Sequence, residues 1–373
     1  MSMKRFLNYF LFVLVFSLFL YSCEKDIDEI PSLEDQIAQM FLVGFRGTEI
    51  SEDNHIVRDI QDYKIGGVIL FEKDGPSQSR PRNVVSGEQL KKLVEDLKSY
   101  SEEKLLVAID QEGGNVCRLK TSYGFPATVT AQYLGNLNNE DSTRFYASVI
   151  SSTLKDMGIN VNFAPVVDLN VNPESPAIGA IERSFSADPE TVVFHAEIFI
   201  DEHKKSSIVS CCKHFPGHGS ALNDSHLGFT DVSETWSSIE LEPYRKLIAD
   251  DKCDMIMTSH VFNRNLDSVY PATMSKNVIT NILRGDLDYK GVVVTDAMDM
   301  GAISEIYGLE EAIEKTISAG CDILLFSNNV KTYDSEIVPK GIEIIKKLID
   351  EGKISRERIK ESYDRIIRLK ENI

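Results

Sequence analysis

Gly291-Val292-Val293-Val294-Thr295-Asp296-Ala297 is an apolar run that stops at a carboxylate. Three successive valines with no polar alternation describe a strand covered on both faces, as in a parallel sheet. Leu105-Leu106-Val107-Ala108-Ile109-Asp110 repeats the pattern. Working outward, the runs that read as strands are Met40 to Phe45, Gly66 to Phe71, Leu105 to Asp110, Ile159 to Asp168, Ser207 to Lys213, Asp254 to His260, Val292 to Asp296 and Asp322 to Phe326. Amphipathic stretches such as Glu88 to Glu102, Thr143 to Met157, Thr191 to Lys205, Glu310 to Ala319 and Gly341 to Glu351 separate them. Eight strand-helix units predict an α/β fold, a (β/α)8 barrel forming one catalytic domain over 34–373. A doubly wound sheet is the alternative, in which strand ends gather along a crevice and not around a ring. Asp110, Asp168, Lys213-His214, Ser259-His260 and Asp296 all fall where an apolar run ends. In a barrel those positions converge on the face that carries chemistry.

The 373 residues include 58 acidic and 40 basic ones, a formal net charge of -18 that speaks against phosphate-backbone binding and so against a nucleic-acid partner. Met1 to Arg5 is basic, Phe6 to Leu20 apolar, and Leu20-Tyr21-Ser22-Cys23 resembles the lipobox of bacterial lipoproteins. Residues 1–22 then read as a signal peptide, Cys23 as the lipidated residue and 23–33 as a tether. The expected location is a bacterial cell envelope, anchored by lipid at the periplasmic face or the cell surface. The other five cysteines, odd in number and without CxxC spacing, predict neither a disulfide framework nor a zinc ribbon. Four of them sit in apolar, strand-like surroundings and read as small buried hydrophobes. A monomer is the default expectation.

The most informative stretch is Lys213-His214-Phe215-Pro216-Gly217-His218-Gly219, followed by Asp224-Ser225-His226. Glycine-rich turns crowded with donors make poor cores, so this loop contacts something polar. Asp224 stands two residues from His226, where a carboxylate orients an imidazole and raises its proton affinity, the logic of a general acid/base. Asp110-Gln111-Glu112-Gly113-Gly114 with Arg118 suits recognition of sugar hydroxyls by charges beside a backbone open to a ligand. Asn162 to Asp168, with Arg183 further on, offers another cation. Asp296 reads as a nucleophile or equally as a helix N-cap, and Asp299 as a residue that caps or solvates the following turn.

Together these motifs resemble glycoside hydrolase family 3, in its single-domain bacterial β-N-acetylglucosaminidase branch. Gly66-Gly67-Val68-Ile69-Leu70-Phe71, Pro271-Ala272-Thr273-Met274-Ser275 and Ala319-Gly320-Cys321-Asp322 follow in family order. The resemblance implies that Asp296 is the catalytic nucleophile and that His226, paired with Asp224, is the acid/base. It further implies that Asp110, Arg118, Arg183, Lys213 and His214 bind the N-acetylhexosamine. Asn115, Cys117 and Ala297 depart from the family pattern without removing a catalytic group. The implied activity is retaining exo-hydrolysis of terminal β-linked N-acetylhexosamine from glycans or peptidoglycan fragments through a glycosyl-enzyme, with no cofactor. Phosphorolysis is the runner-up, because a neutral imidazole repels phosphate less than a carboxylate does; a β-glucosidase of the same family is another. A metal-dependent barrel hydrolase using Lys213, His214, His260 and Asp296 lacks the usual H-x-H pair after the first strand. A glycan-binding lipoprotein without catalysis is the reading from another class.

Overall fold

The apolar runs form parallel strands. In the computed structural model, which describes residues 31–77, 80–225 and 228–373, they are β1 (Phe41–Gly44), β2 (Gly67–Leu70), β3 (Leu106–Ile109) and β4 (Val161–Asn162). β5 (Val209–Phe215), β6 (Met255–Thr258), β7 (Val292–Val294) and β8 (Leu324–Phe326) follow. Every residue in these strands is buried, which accounts for sequences that do not alternate. Their order is β8-β1-β2-β3-β4-β5-β6-β7, all pairs parallel. A parallel bridge between Val294 and Ile323 brings the two ends of the sheet together. The architecture is therefore the predicted barrel and not an open sheet. It occupies Leu33–Ile373; the signal peptide and lipidated Cys23 expected from the sequence lie outside the described residues. Among the described residues no helix is long and apolar enough to cross a membrane.

The outer helices form where spacing and caps agree. Gly87–Ser99 buries Leu90, Leu93, Val94 and Leu97, one face at helical spacing, and Ser86 caps it by accepting from the Gln89 N–H. Pro189–Lys205 starts on Asp188 as cap with proline in its first turn. Between β6 and β7, Asn277–Asp286 winds as a π-helix that buries Val278, Ile279 and Leu283.

Two departures from regularity position the chemistry. The strand predicted over Ile159 to Asp168 is ordered only at Val161–Asn162. Pro165 has no N–H to extend a ladder, and beyond it the chain touches β5 through the Val166–Lys213 bridge and the Val167 N–H to Lys213 O bond of 2.9 Å. Asp168 is thereby carried to the side of β5. In β5 itself Lys213 pairs with Met257 and Phe215 with Thr258, so His214 is an extra residue against one step of β6. Such a bulge re-aims side chains, and both Lys213 and His214 line the same cavity.

Candidate active site

Charges alternate around the barrel mouth. Asp110 follows β3, and Glu112 lies in the short hairpin Gln111–Gly113 with Val116–Cys117. The Lys213 Nζ sits 2.8 Å from Asp110 Oδ1 and 2.7 Å from Glu112 Oε1. Arg183 forks Glu112, with Nε 2.9 Å from Oε2 and Nη2 2.7 Å from Oε1. Arg118 reaches Asp110 at 3.3 Å and Glu72 at 3.6 Å, and Glu72 also holds Lys120 at 2.9 Å. Burial opposes ionisation of Glu112, but Arg183 and Lys213 prevail and hold its carboxyl down at about 2. Asp110 is likewise held well below the usual range, against burial, by Lys213 and Arg118. Lys213, Arg118 and Arg183 are raised in turn, since their anionic neighbours outweigh desolvation. The result is a rigid array of ionised donors and acceptors.

Neither glycine of this cluster's pair lines the cavity shared by Asp110 and Lys213. Gly113 (φ 108°) and Gly114 (φ 57°) have left-handed backbones, and a Cβ on Gly114 would stand 2.3 Å from Thr130 Cγ2 and 2.7 Å from its Cα. The glycines instead let the hairpin close against residues 129–130.

His214 bridges the array to a second layer. Its Nδ1 lies 2.6 Å from Asp168 Oδ2 and its Nε2 3.2 Å from Arg183 Nη2. Burial, Arg183 and Lys213 hold its pKa well below the ordinary histidine value, so the ring is neutral. Burial pushes the Asp168 carboxyl up, opposed by His218 and by backbone donors.

These groups line a cavity of about 400 Å³, walled by Ile69, Phe71, Phe163, Met257 and Met300 among others. Asp110, Arg118, Arg183, Lys213, His214 and Asp296 all contribute to it. Asp296 follows β7, where its N–H donates to Thr258 O at 3.2 Å and its Oδ1 accepts from the Ala297 N–H at 2.8 Å. His260 lies within 2.9 Å of Ala297 O through Nε2 and within 2.8 Å of Thr273 Oγ1 through Nδ1. Its imidazole braces the turn after Asp296, and both ring nitrogens are engaged without a metal. Asp299 does not cap its own turn. It accepts from the Ser327 and Asn328 N–H groups at 3.0 and 2.7 Å and from the Ser327 hydroxyl, pinning the loop after β8 to the cavity wall.

The loop that begins at Pro216 is fastened from several elements. Trp236 Nε1–H donates to Pro216 O at 3.1 Å, Asp168 Oδ1 accepts from the His218 N–H at 2.8 Å, and Glu240 Oε2 accepts from the Gly219 N–H at 3.1 Å. His218 Nε2 lies 3.1 Å from Ser225 Oγ. Asp224 is described, and His226 lies outside the described residues. Sequence reasoning singled out six of the residues that line the cavity, Asp110, Arg118, Arg183, Lys213, His214 and Asp296, but gave no role to Glu72, which also lines it, or to Glu240 and the Asp168 carboxylate, whose partners are distant in the chain. Strand-end placement alone marked Asp168.

Burial raises the Glu240 carboxyl to about 7, aided by Asp168. An unfolded glutamate releases its proton near 4.3, so the native state binds more protons between about 4.3 and 7 and stability falls as pH rises through that window. Glu240→Gln removes the titration. Relative to this variant the wild type is expected to lose on the order of 2 kcal/mol between about pH 5 and 8 in urea unfolding. Parallel pH curves for the two proteins would refute the assignment.

Residues 32–369 match the family model described as glycosyl hydrolase family 3 N terminal domain. The chain is 33% identical over 335 residues to Beta-hexosaminidase A of Pseudoalteromonas piscicida, covering 83% of this chain but 54% of that protein. Beta-hexosaminidase of Tolumonas auensis is 34% identical over 294 residues, 77% of this chain and 82% of its own length. Among solved structures, a glycoside hydrolase family 3 beta-N-acetylglucosaminidase from a Paenibacillus species superposes with a TM-score of 0.83 at 33% identity, over 92% of this chain and 63% of that one. The Beta-N-acetylhexosaminidase from Beutenbergia cavernae gives 0.80 at 27% identity, over 92% and 99%.

Proposed function

The chain belongs to glycosyl hydrolase family 3, and from that premise we propose that it is a retaining exo-β-N-acetylglucosaminidase. The reading rests above all on one observation. Asp296, at the end of β7, opens onto the same cavity as Asp110, Arg118, Arg183, Lys213 and His214. Their fixed charges offer hydrogen bonds to the hydroxyls of a single terminal sugar, and the apolar wall receives its carbon face. Because the ion pairs already hold these groups in place, little reorganisation accompanies charge development at the anomeric carbon.

In this mechanism the Asp296 carboxylate attacks the anomeric carbon as His226, oriented by Asp224, protonates the departing oxygen. A covalent glycosyl-enzyme and a neutral imidazole result. His226 then takes a proton from water as that water displaces Asp296, and the β configuration is restored. The substrate is a terminal β-linked N-acetylglucosamine on a glycan or peptidoglycan fragment. Hydrolysis of p-nitrophenyl β-N-acetylglucosaminide followed by proton NMR tests it. The sugar is expected to appear first as the β anomer and to mutarotate afterwards; the α anomer first, or no turnover, would overturn the reading.

A further inference from the structure

Asp168 lies beyond β4, 46 residues before the histidine it contacts, and is almost fully buried. Its carboxyl is surrounded by N–H donors. The His214 backbone N–H is 3.2 Å from both oxygens, the His218 N–H is 2.8 Å from Oδ1, and His214 Nδ1 is 2.6 Å from Oδ2. The backbone N–H groups of His214 and His218 only donate, and three such contacts on the two oxygens suit the carboxylate. A carboxylate only accepts, and His214 Nδ1 must therefore carry the ring proton. On the far side of the ring the Arg183 guanidinium, which only donates, lies 3.2 Å from Nε2. Nε2 must therefore be bare. Two partners on opposite edges of the imidazole independently require one tautomer.

We propose that Asp168 is a positioning residue that locks His214 as the neutral Nδ1–H tautomer, so that Nε2 stands in the cavity as a bare acceptor, shared between the Arg183 guanidinium at 3.2 Å and a sugar hydroxyl. The proposal deepens the glycosidase reading and relies on it only for the nature of the ligand. Its physical content is a polarity: the hydroxyl that meets His214 donates there. Asp168→Asn keeps an oxygen for the His214 and His218 N–H groups, but turns an amide N–H toward Nδ1. The ring would then carry its proton on Nε2, where it opposes Arg183 and offers the sugar a donor in place of an acceptor. Loss of an orienting carboxylate of this kind has a known scale in a Ser-His-Asp triad, where the asparagine variant leaves the wrong tautomer and falls by about 10⁴-fold. Here His214 binds and does not transfer protons, so a smaller loss, about 100-fold in kcat/KM, is expected.

The test has two arms. The chain holds 7 histidines, and the ring nitrogens of His214 can be assigned in histidine-labelled protein by their disappearance in His214→Gln. Nitrogen-15 spectra at neutral pH are expected to show a protonated Nδ1 and a bare Nε2 in the wild type, and the reverse in Asp168→Asn. A protonated Nε2 or an imidazolium in the wild type would overturn the proposal, even if the variant did not fold. The second arm is a double-mutant cycle on the aryl N-acetylglucosaminide. Asp168→Asn is expected to cost about 100-fold in the wild-type background but less than about 3-fold once His214 is glutamine, because the effect travels through that ring. Equal losses on both backgrounds would mean a scaffold role and overturn the positioning one. The spectra do not depend on turnover, so an inactive protein with the expected tautomer would fail the glycosidase reading and leave the lock standing.

Discussion

Asp296→Ala is expected to lower kcat/KM on an aryl β-N-acetylglucosaminide by about 10⁴-fold or more, the scale seen when a residue that forms a covalent bond is removed. The side chain accepts from the N–H of the next residue, and His260 holds the Ala297 carbonyl independently. The turn should therefore survive truncation, and the loss should fall on kcat and not on folding. A chemical rescue separates a nucleophile from an electrostatic stabiliser. Azide fits the gap left by the carboxylate and attacks the same face of the sugar, so the variant with azide should release an α-glycosyl azide. Replacing His226 by alanine should give the opposite pattern: turnover of a dinitrophenyl glycoside persists, since that leaving group needs no proton, and azide yields the β product. An Asp296→Ala enzyme retaining a tenth of wild-type turnover, or producing the β azide, would remove Asp296 from the nucleophile's role.

How much of this was legible in the sequence follows from the range of each interaction. The strand ends were readable because a parallel strand buried on both faces writes itself as a continuous apolar run, and the first polar residue after it faces the mouth. Asp110, Lys213 and Asp296 were found in this way, and all three line the cavity. β4 is shorter than its apolar run because regular pairing stops at Asn162, and the apolar, buried Val166 and Val167 beyond Pro165 meet β5 only at the single Val166–Lys213 bridge. The glycines at 113 and 114 read as backbone open to a ligand, and in the fold an added Cβ at either would meet residues 129–130. Asp299 was assigned to its own turn when its partners are Ser327 and Asn328. The same limit hid the pairing of Glu112 with Arg183, 71 residues apart, and of Asp168 with His214, 46 apart. Local sequence shows that a charge is present and which face it ends on. Its partner is set by which strands the barrel makes neighbours, and β4 and β5 become neighbours only once the barrel has formed.

Lys213→Met should be the most costly single substitution for stability, at about 3–5 kcal/mol, because removing one member of a buried ion pair strands the other. The lysine side chain is 2% exposed and lies between two carboxylates, Asp110 and Glu112. Methionine fills much of the same volume, so the cost is electrostatic and not a cavity. Glu112 keeps Arg183 as a partner and Asp110 keeps Arg118 only at 3.3 Å, so the excess charge settles on Asp110. Its carboxyl, held low in the wild type, should rise in the variant. In the wild type this group contributes stability above the unfolded value near 3.9, lost only as pH falls below it; in the variant, stability should instead be lost as pH rises past that value. The deficit measured by urea unfolding should thus be largest near pH 7 and shrink toward pH 4. Adding Asp110→Asn to Lys213→Met removes one carboxylate for the one cation lost, leaving Glu112 with Arg183 and Glu72 with Arg118. The double variant should regain at least about half of the lost stability, yet stay inactive, since both side chains line the sugar cavity. A single variant within about 1 kcal/mol of wild type at pH 7, or a double variant no more stable than the single, would show that the alternating charges do not hold this face of the barrel together.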